Sequence, residues 1–419
     1  MLAGAPAAAR PQAAAPKYTR AEYDAYQAAA AEKNPQQKIK LLDDFVAKYP
    51  SSELLAFAYN EYVTVYYQQH QWAKDVEYLD KFLALTNVND GARLQAEAQR
   101  AALFEVSYNG KAPDAKDQAT KARDAALEGM KVLTAFQKPE QMTAEQWGAA
   151  RKQYAVGFWN TAGVASLDVK DGAAAADYFS KSLAENAEQP VVYYRLGLAD
   201  LMLSPPKANE GFWAIARAIA LKVPDADKVT KFLRDKIVEY QSPPCDSAID
   251  PQLKELLTLA QGSPNPPAGF SIPGAADLAK AGQRDAKDII ADLRAGGDKA
   301  KITWLGVCNG DFPEAFLAKV YEINAADPAN IVAQIAIGSS PEEIEASSAP
   351  DTTLKISTQP DAARLSKDDT FRFAGKLTGY TGSPFQLTFE NVKINPEDIP
   401  AEKGKAAPKK PLKKPAGKQ

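Results

Sequence analysis

Trp159-Asn160-Thr161-Ala162-Gly163 is echoed further along the chain by Tyr193-Tyr194-Arg195-Leu196-Gly197. An aromatic residue and a glycine four positions on recur after 193 − 159 = 197 − 163 = 34 residues. A fixed period of this size marks a repeat architecture, in which one supersecondary unit buries its apolar face against the next. Within the first unit Asp171-Gly172 reads as a turn, with Ala175 and Phe179 beyond it. Two helices per unit follow: Gly163 and Ala175 let them approach where they cross, and Trp159 and Phe179 fill the space beside them. Upstream, Ile39, Leu42 and Phe45 are echoed by Val76, Leu79 and Phe82, each 76 − 39 = 37 positions on. The three added residues are assigned to a helix over 54–69, lengthened by nearly one turn at about 3.6 residues per turn. Lys48-Tyr49-Pro50-Ser51-Ser52 closes one unit and opens the next, because proline cannot continue a helix and serine favours an N-cap.

These residues resemble the tetratricopeptide (TPR) repeats of bacterial cell-envelope assembly and scaffold proteins, over about half the chain. The resemblance takes in five repeats, including a weaker unit over 91–136 with Pro113 between its helices. A unit opening at Pro190 has its turn lengthened by Ser204-Pro205-Pro206, and a capping helix is expected over 225–240. It implies a mainly α chain: a TPR-type α-solenoid of about five helix hairpins over 18–240, whose first helices line a concave groove for a protein or peptide partner. Trp159, Tyr193 and the glycines are packing residues on this reading. The groove candidates are Asn160, Val164, Tyr194 and Leu198 beside them, with Phe57 and Glu61 in the second repeat. The lysine and asparagine clamp with which some TPR proteins hold a chaperone's terminal carboxylate has no matching lysine set here. Residues 54–69 carry Phe57, Tyr59, Tyr62, Tyr66 and Tyr67, more rings than packing requires, so the second repeat is expected to dominate binding. Spacings of three and four still place at least half of those rings in the core.

Pro-rich interruptions at 242–251 and 262–274 bracket a helix over 252–260 and open a helical connector, 241–301. A further helix over 275–293 is stopped by Gly296-Gly297. From Ile302 the apolar period changes to two, giving candidate strands at 302–307, 316–323, 331–337, 354–358, 370–377 and 385–392, with a helical turn at 341–346. Phe371, Phe373 and Leu377 alternate with Arg372 and Lys376, and Phe385, Leu387 and Phe389 with Gln386, Thr388 and Glu390. Five or six short strands suggest a small closed or nearly closed barrel over 302–400. The run from Ala363 to Gly375 resembles OB-like barrels of uncharacterised bacterial proteins. OB-like barrels bring nucleic acid into question, but residues 315–400 hold 7 Lys/Arg against 12 Asp/Glu, a balance of −5. Backbone binding needs the opposite sign.

At 419 residues the chain exceeds the roughly 250–300 over which one core keeps growing, in accord with separate units. The net charge of −3 conceals a tail, 401–419, with seven Lys and one Glu (+6), and a body at −9. Nucleic acid is therefore expected to attach only through the tail, and its binding by barrel and tail together is the alternative function. Residues 1–17 are rich in Ala and Pro. Ala7-Ala8-Ala9 suits a signal-peptidase site, so the segment reads either as a signal-peptide remnant or as an Ala/Pro leader. Export, to the periplasm or as a secreted protein, is the expectation this supports, with a cytoplasmic location as the alternative. No phosphate-cradling loop, calcium loop, zinc spacing or nucleophile elbow is present, and no stretch is apolar enough to span a membrane. No catalytic residue, cofactor or metal is therefore expected. His70, the single histidine, reads as a turn residue. Cys308 and Cys245 could pair if the chain is exported, but sequence leaves their separation open. The leading reading is a non-enzymatic scaffold or adaptor of the cell envelope.

Overall fold

The structure, a computed structural model, describes residues 17–401. The leader and tail readings concern segments that lie, but for Lys17 and Ala401, outside the described residues. The chain divides into two compact units, Met1–Leu221 and Lys222–Gln419.

The first unit is a succession of five helix hairpins: α1 Arg20–Ala31 with α2 Pro35–Lys48, α3 Leu55–Gln68 with α4 Trp72–Leu83, α5 Asp90–Ser107 with α6 Ala115–Ala135, α7 Ala144–Asp168 with α8 Gly172–Glu185, and α9 Pro190–Met202 with α10 Ala208–Ala220. Local chemistry sets their starts. Thr19 and Thr143 form capping boxes with Glu22 and Gln146, and Asn34, Asn89 and Asp171 each accept the backbone N–H three residues on. The two decisive glycines act as expected: a Cβ on Gly163 would lie 2.5 Å from the Phe179 ring, and one on Gly197 2.5 Å from Ile215. The core is a string of small clusters, such as Leu42, Phe45, Ala58 and Tyr62, then Val63, Leu79, Phe82 and Leu103, then Leu94, Ala126, Leu133 and Phe158. Each is filled by adjacent helices, as stacking requires.

Two expectations differ here. The helix over 54–69 is not lengthened: α3 has 14 residues, like α2 and α8, whereas α7 has 25. The added residues lie in the connection between α2 and α3, where Pro50 ends one helix and Ser52 Oγ accepts the Leu54 N–H before the next begins. The solenoid boundary falls at Leu221 and not at Tyr240. Lys222 and Asp225 both take left-handed φ, 61° and 55°, and break the helical run, and the expected capping helix, α11 Ala226–Gln241, belongs to the second unit.

In that second unit α11 packs with α12 Ile249–Gly262 and α13 Ala275–Gly282, followed by α14 Ala286–Ala295 and α15 Gly297–Val307. The expected strand at 302–307 is thus the end of a helix. Apolar residues at 302, 304, 305 and 307 fit both periods, and the buried Thr303, Leu305 and Val307 alternate as a strand's would, but the backbone is helical without a break from Gly297 to Val307. Cys245 and Cys308 form a disulfide, Cα atoms 5.8 Å apart, tying the start of the connector to the end of α15. Then come β1 Gly310–Asn324, β2 Ile331–Gly338, α16 Pro341–Ala346, β3 Thr352–Ile356, β4 Thr370–Gly382 and β5 Phe385–Ile394. The strands close a barrel in the order β1-β2-β3-β5-β4, with β3 and β5 parallel and the other pairs antiparallel, consistent with an OB-like barrel. Its inside is one continuous cluster in which Phe371, Phe373, Leu377, Leu387 and Phe389 are at most 1% exposed. These rings fill the core and offer no face for a base to stack on.

Candidate protein-binding groove

The first helices α3, α5 and α7 leave two cavities between them. One, about 550 Å³, is walled by Ala56, Phe57 and Asn60 of α3 and by Ala92, Gln95 and Gln99 of α5, with Leu79 and Phe82 of α4 behind. The other, about 650 Å³, lies between Ala98, Ala102, Glu105 and Val106 of α5 and Gln153, Tyr154, Gly157 and Asn160 of α7. Spacings of three and four bring these residues to one side of each helix. The opposite sides are spent on the core: Leu94, Ala101 and Phe104 of α5 and Ala155 and Ala162 of α7 are buried, and buried Phe158 forms the floor between core and cavity. Large apolar side chains nevertheless stay in water on the cavity side, Phe57 at 58% and Val106 at 61% exposure.

Charge is scarce along these walls. In the larger cavity the charged lining residue is Glu105, and Arg195 of α9 takes it in a two-pronged pair, Nη1 to Oε1 at 3.0 Å and Nη2 to Oε2 at 3.4 Å. Asn160 donates from Nδ2 to Gln189 Oε1 at 3.1 Å, and its buried Oδ1 has no hydrogen-bond partner. On the core side of α5, burial pushes the Glu97 carboxyl up to about 7. Asp75 of α4 is fully buried with both oxygens unpartnered, and burial raises it to about 6.

Of the six groove residues expected from the sequence, Phe57 lines the smaller cavity and Asn160 the larger. Glu61 turns the other way: its carboxylate accepts from Lys38 Nζ at 2.6 Å, and Lys38 also donates to the Ala30 carbonyl at 3.0 Å, so Glu61 is held within the first two hairpins. Val164 packs among Phe104, Ala165, Ala175 and Phe179 and belongs to the core. Tyr194 and Leu198, half-buried on α9, line neither cavity. Of the five rings of residues 54–69, Tyr62 and Tyr66 are buried, Tyr59 is half-buried, and Phe57 and Tyr67 are exposed. Sequence reading missed the contribution of α5. Its signal was the run Gln95, Gln99, Ala102, Val106, spaced by three and four beside a buried stripe, which carries too little hydrophobicity to stand out.

His70 is exposed at the turn between α3 and α4, at φ 55°, its ring 4.9 Å from Trp72. Among the described residues no group of three or more His, Cys, Asp or Glu is placed to hold a metal ion, and no helix is long and apolar enough to cross a membrane.

No protein-family model matches the chain, and no curated protein matches it. Solved structures similar to it are helical-repeat proteins. PilF of Pseudomonas aeruginosa is 18% identical, over 58% of this chain and 97% of that one, at a TM-score of 0.29. The C-terminal part of a TPR repeat-containing protein of Cytophaga hutchinsonii is 15% identical, over 57% and 92%, at 0.24. The TPR2AB domain of yeast Sti1 in complex with pHSP90 is 10% identical, over 58% and 96%, at 0.16. At TM-scores this low the likeness carries no argument, and the helical-repeat assignment rests on the chain's own period and hairpins.

Proposed function

We propose that this protein is a non-enzymatic scaffold or adaptor that holds a segment of another protein against the first helices of its solenoid, in the bacterial cell envelope. The observation that carries the reading is the pair of cavities flanking α5, about 550 and 650 Å³, with Phe57 and Val106 left more than half exposed beside them. Apolar side chains rimmed by neutral polar groups are what a docking segment covers, and a stack of helix pairs supplies such a surface without further machinery. The envelope location is supported by the disulfide between Cys245 and Cys308, since such bonds persist in oxidising compartments and are rare in the cytosol.

Affinity capture from the native cell tests the binding role, with the parent chain compared against a Phe57→Ala, Val106→Ala double variant. The expected result is a protein recovered in stoichiometric amount with the parent and lost with the variant. Equal recovery by a folded variant overturns the reading. For location, alkylating free thiols in intact cells is expected to leave both cysteines unlabelled until reductant is added. Labelling without reductant would place the chain in a reducing compartment.

A further inference from the structure

A third cavity of the solenoid, about 630 Å³, is walled by second helices of the hairpins. Its walls are Trp72, Lys74 and Val76 of α4 and Gln118, Lys121 and Ala122 of α6, and α5 supplies Arg100, Phe104 and Ser107. Spaced by four and three, those residues leave α5 on a different side from Ala98, Ala102, Glu105 and Val106, so this space is separate from the groove of the first helices. The cavities also differ in charge. Among the described residues, the linings of the other two hold one carboxylate each, Glu53 and Glu105, and no cation. Here three cations from three successive helices, Lys74, Arg100 and Lys121, stand against one carboxylate, Asp80.

Arg100 is spent within the wall: its Nε donates to Asp80 and its Nη1 to the Lys121 carbonyl at 3.4 Å. The two lysines are not so committed. They stand on opposite walls with side chains 51% and 67% exposed, Lys74 paired with Glu77 at 2.8 Å and Lys121 with Asp117 at 2.7 Å. Glu77 is shared with Lys81, and solvated pairs within one helix hold little energy. An ammonium has three donors, so each lysine can serve a second acceptor. The rest of the lining includes the apolar Trp72, Val76, Phe104 and Ala122. Tyr67 and His70 brace the Trp72 indole edge to face, with centroids 5.6 and 4.9 Å away.

We propose that this cavity is a small-molecule site for an amphipathic carboxylate, its apolar part against Trp72, Val76 and Phe104 and its carboxylate held by Lys74 and Lys121. The volume lies within the roughly 300–1,000 Å³ of such sites, and an apolar lining with a few polar groups is their usual composition. A neutral molecule of the same shape gains the apolar burial alone, and a cation meets the excess positive charge. The site shares no residue with the cavities that carry the scaffold reading, and each can fail without the other.

Octanoate, octanol and octylammonium have the same chain and differ in head group. Titrated calorimetrically into the full chain, octanoate is expected to bind about tenfold more tightly than octanol, the worth of one charge-assisted hydrogen bond, and octylammonium not to bind. Lys74→Gln with Lys121→Gln should bring octanoate to the level of octanol, with octanol binding and Tm held, since both positions are exposed. Phe57→Ala, in the smaller groove cavity, should leave octanoate binding unchanged. Equal binding of the three compounds, or octanoate binding that survives the lysine substitutions or is lost with Phe57→Ala, overturns the site. No binding of any compound also overturns it, and release of a captured protein by the lysine substitutions would then give the cavity to an acidic protein segment.

Discussion

The two units differ in where they leave apolar surface and in whether their buried carboxyls are paired. The barrel turns its apolar alternation inward to one continuous cluster, and the cavity found against its strands, between Asn330, Lys355 and Glu390, measures about 240 Å³. The solenoid divides its core among small clusters and leaves larger cavities and exposed apolar residues between its first helices. Carboxyls follow suit. In the second unit Asp398 forms a two-pronged pair with Arg372, Glu343 accepts from Ser339, and Asp292 from Arg284 and Lys299. In the first, Asp75 has no hydrogen-bond partner, and burial is the leading cause of the raised pKa of Glu97 and Asp200. A closed barrel has no edge and little surface left to specialise, whereas a stack of hairpins keeps an unfilled side. The barrel's core is continuous with Ile289, Ile290 and Leu293 of α14 and Ala300 and Val307 of α15, whereas the solenoid keeps its clusters separate.

The sharpest way to break that comparison is to remove one barrel ring. Phe389 is fully buried and packs edge-on against Phe312 and Phe373, with centroids 5.7 and 5.3 Å away. Phe389→Ala is expected to cost about 3–5 kcal/mol, and because the cluster is continuous the whole barrel should lose its cooperative transition. The solenoid transition in the same calorimetric scan should stay in place. A barrel that merely shifts its local exchange, with its transition intact, would show that its core is as divided as the solenoid's.

How much of this was legible in the sequence follows from the same contrast. The 34-residue period located α7 to α10, and the alternation in 370–377 and 385–392 located β4 and β5, because in both places the buried face is a strict sequence pattern. Reading failed where pattern is degenerate: 302–307 fits either period, and its buried Thr303, Leu305 and Val307 alternate even though the backbone is helical from Gly297 to Val307. Two of the six groove candidates line a cavity. Phe57 and Asn160 could be placed from their distance to the packing aromatics, but Glu61 needed knowledge of Lys38, 23 positions away, and α5 presents its open side with glutamines and alanines that resemble any solvated helix.

A smaller effect separates the units by pH. Asp75, Glu97 and Asp200 sit near 6, 7 and 6, above their ordinary 3.8 and 4.5, chiefly because burial disfavours their charged forms. The folded solenoid thus binds protons more tightly than its unfolded chain, and stability present below about pH 4 is lost as pH rises through about 6 to 7. In the second unit Asp292 and Glu343 shift down, held by the Arg284 side chain and by the Ser339 backbone N–H. Their contribution is present at neutral pH and lost as pH falls below the ordinary carboxylate range. Separate melting of the two transitions should show the solenoid's Tm falling from pH 5 to 8 while that of the second unit holds. A solenoid Tm that rises over the same interval would mean that these carboxyls are solvated or paired.

The smallest expected change is in stability at Phe57, and there it is the disproportion that matters. Phe57 and Tyr62 lie five positions apart on α3, with Phe57 58% exposed and Tyr62 1% exposed, its hydroxyl donating to Asp43 Oδ1 at 2.6 Å. Tyr62→Ala removes a filled core position and a hydrogen bond, and is expected to lower solenoid stability by about 3–5 kcal/mol. Phe57→Ala removes a ring that touches Tyr26, 6.1 Å between centroids, and otherwise faces the smaller cavity, so its effect should stay within about 0.5 kcal/mol. Glu61 is left unaltered in this pair, because replacing it with lysine would set two ammonium groups together at Lys38 and confuse folding with binding. Chemical denaturation followed by far-UV circular dichroism measures both variants. A loss at Phe57 as large as that at Tyr62 would show that its ring is core, and the open side of the second repeat would then have to be sought elsewhere on α3.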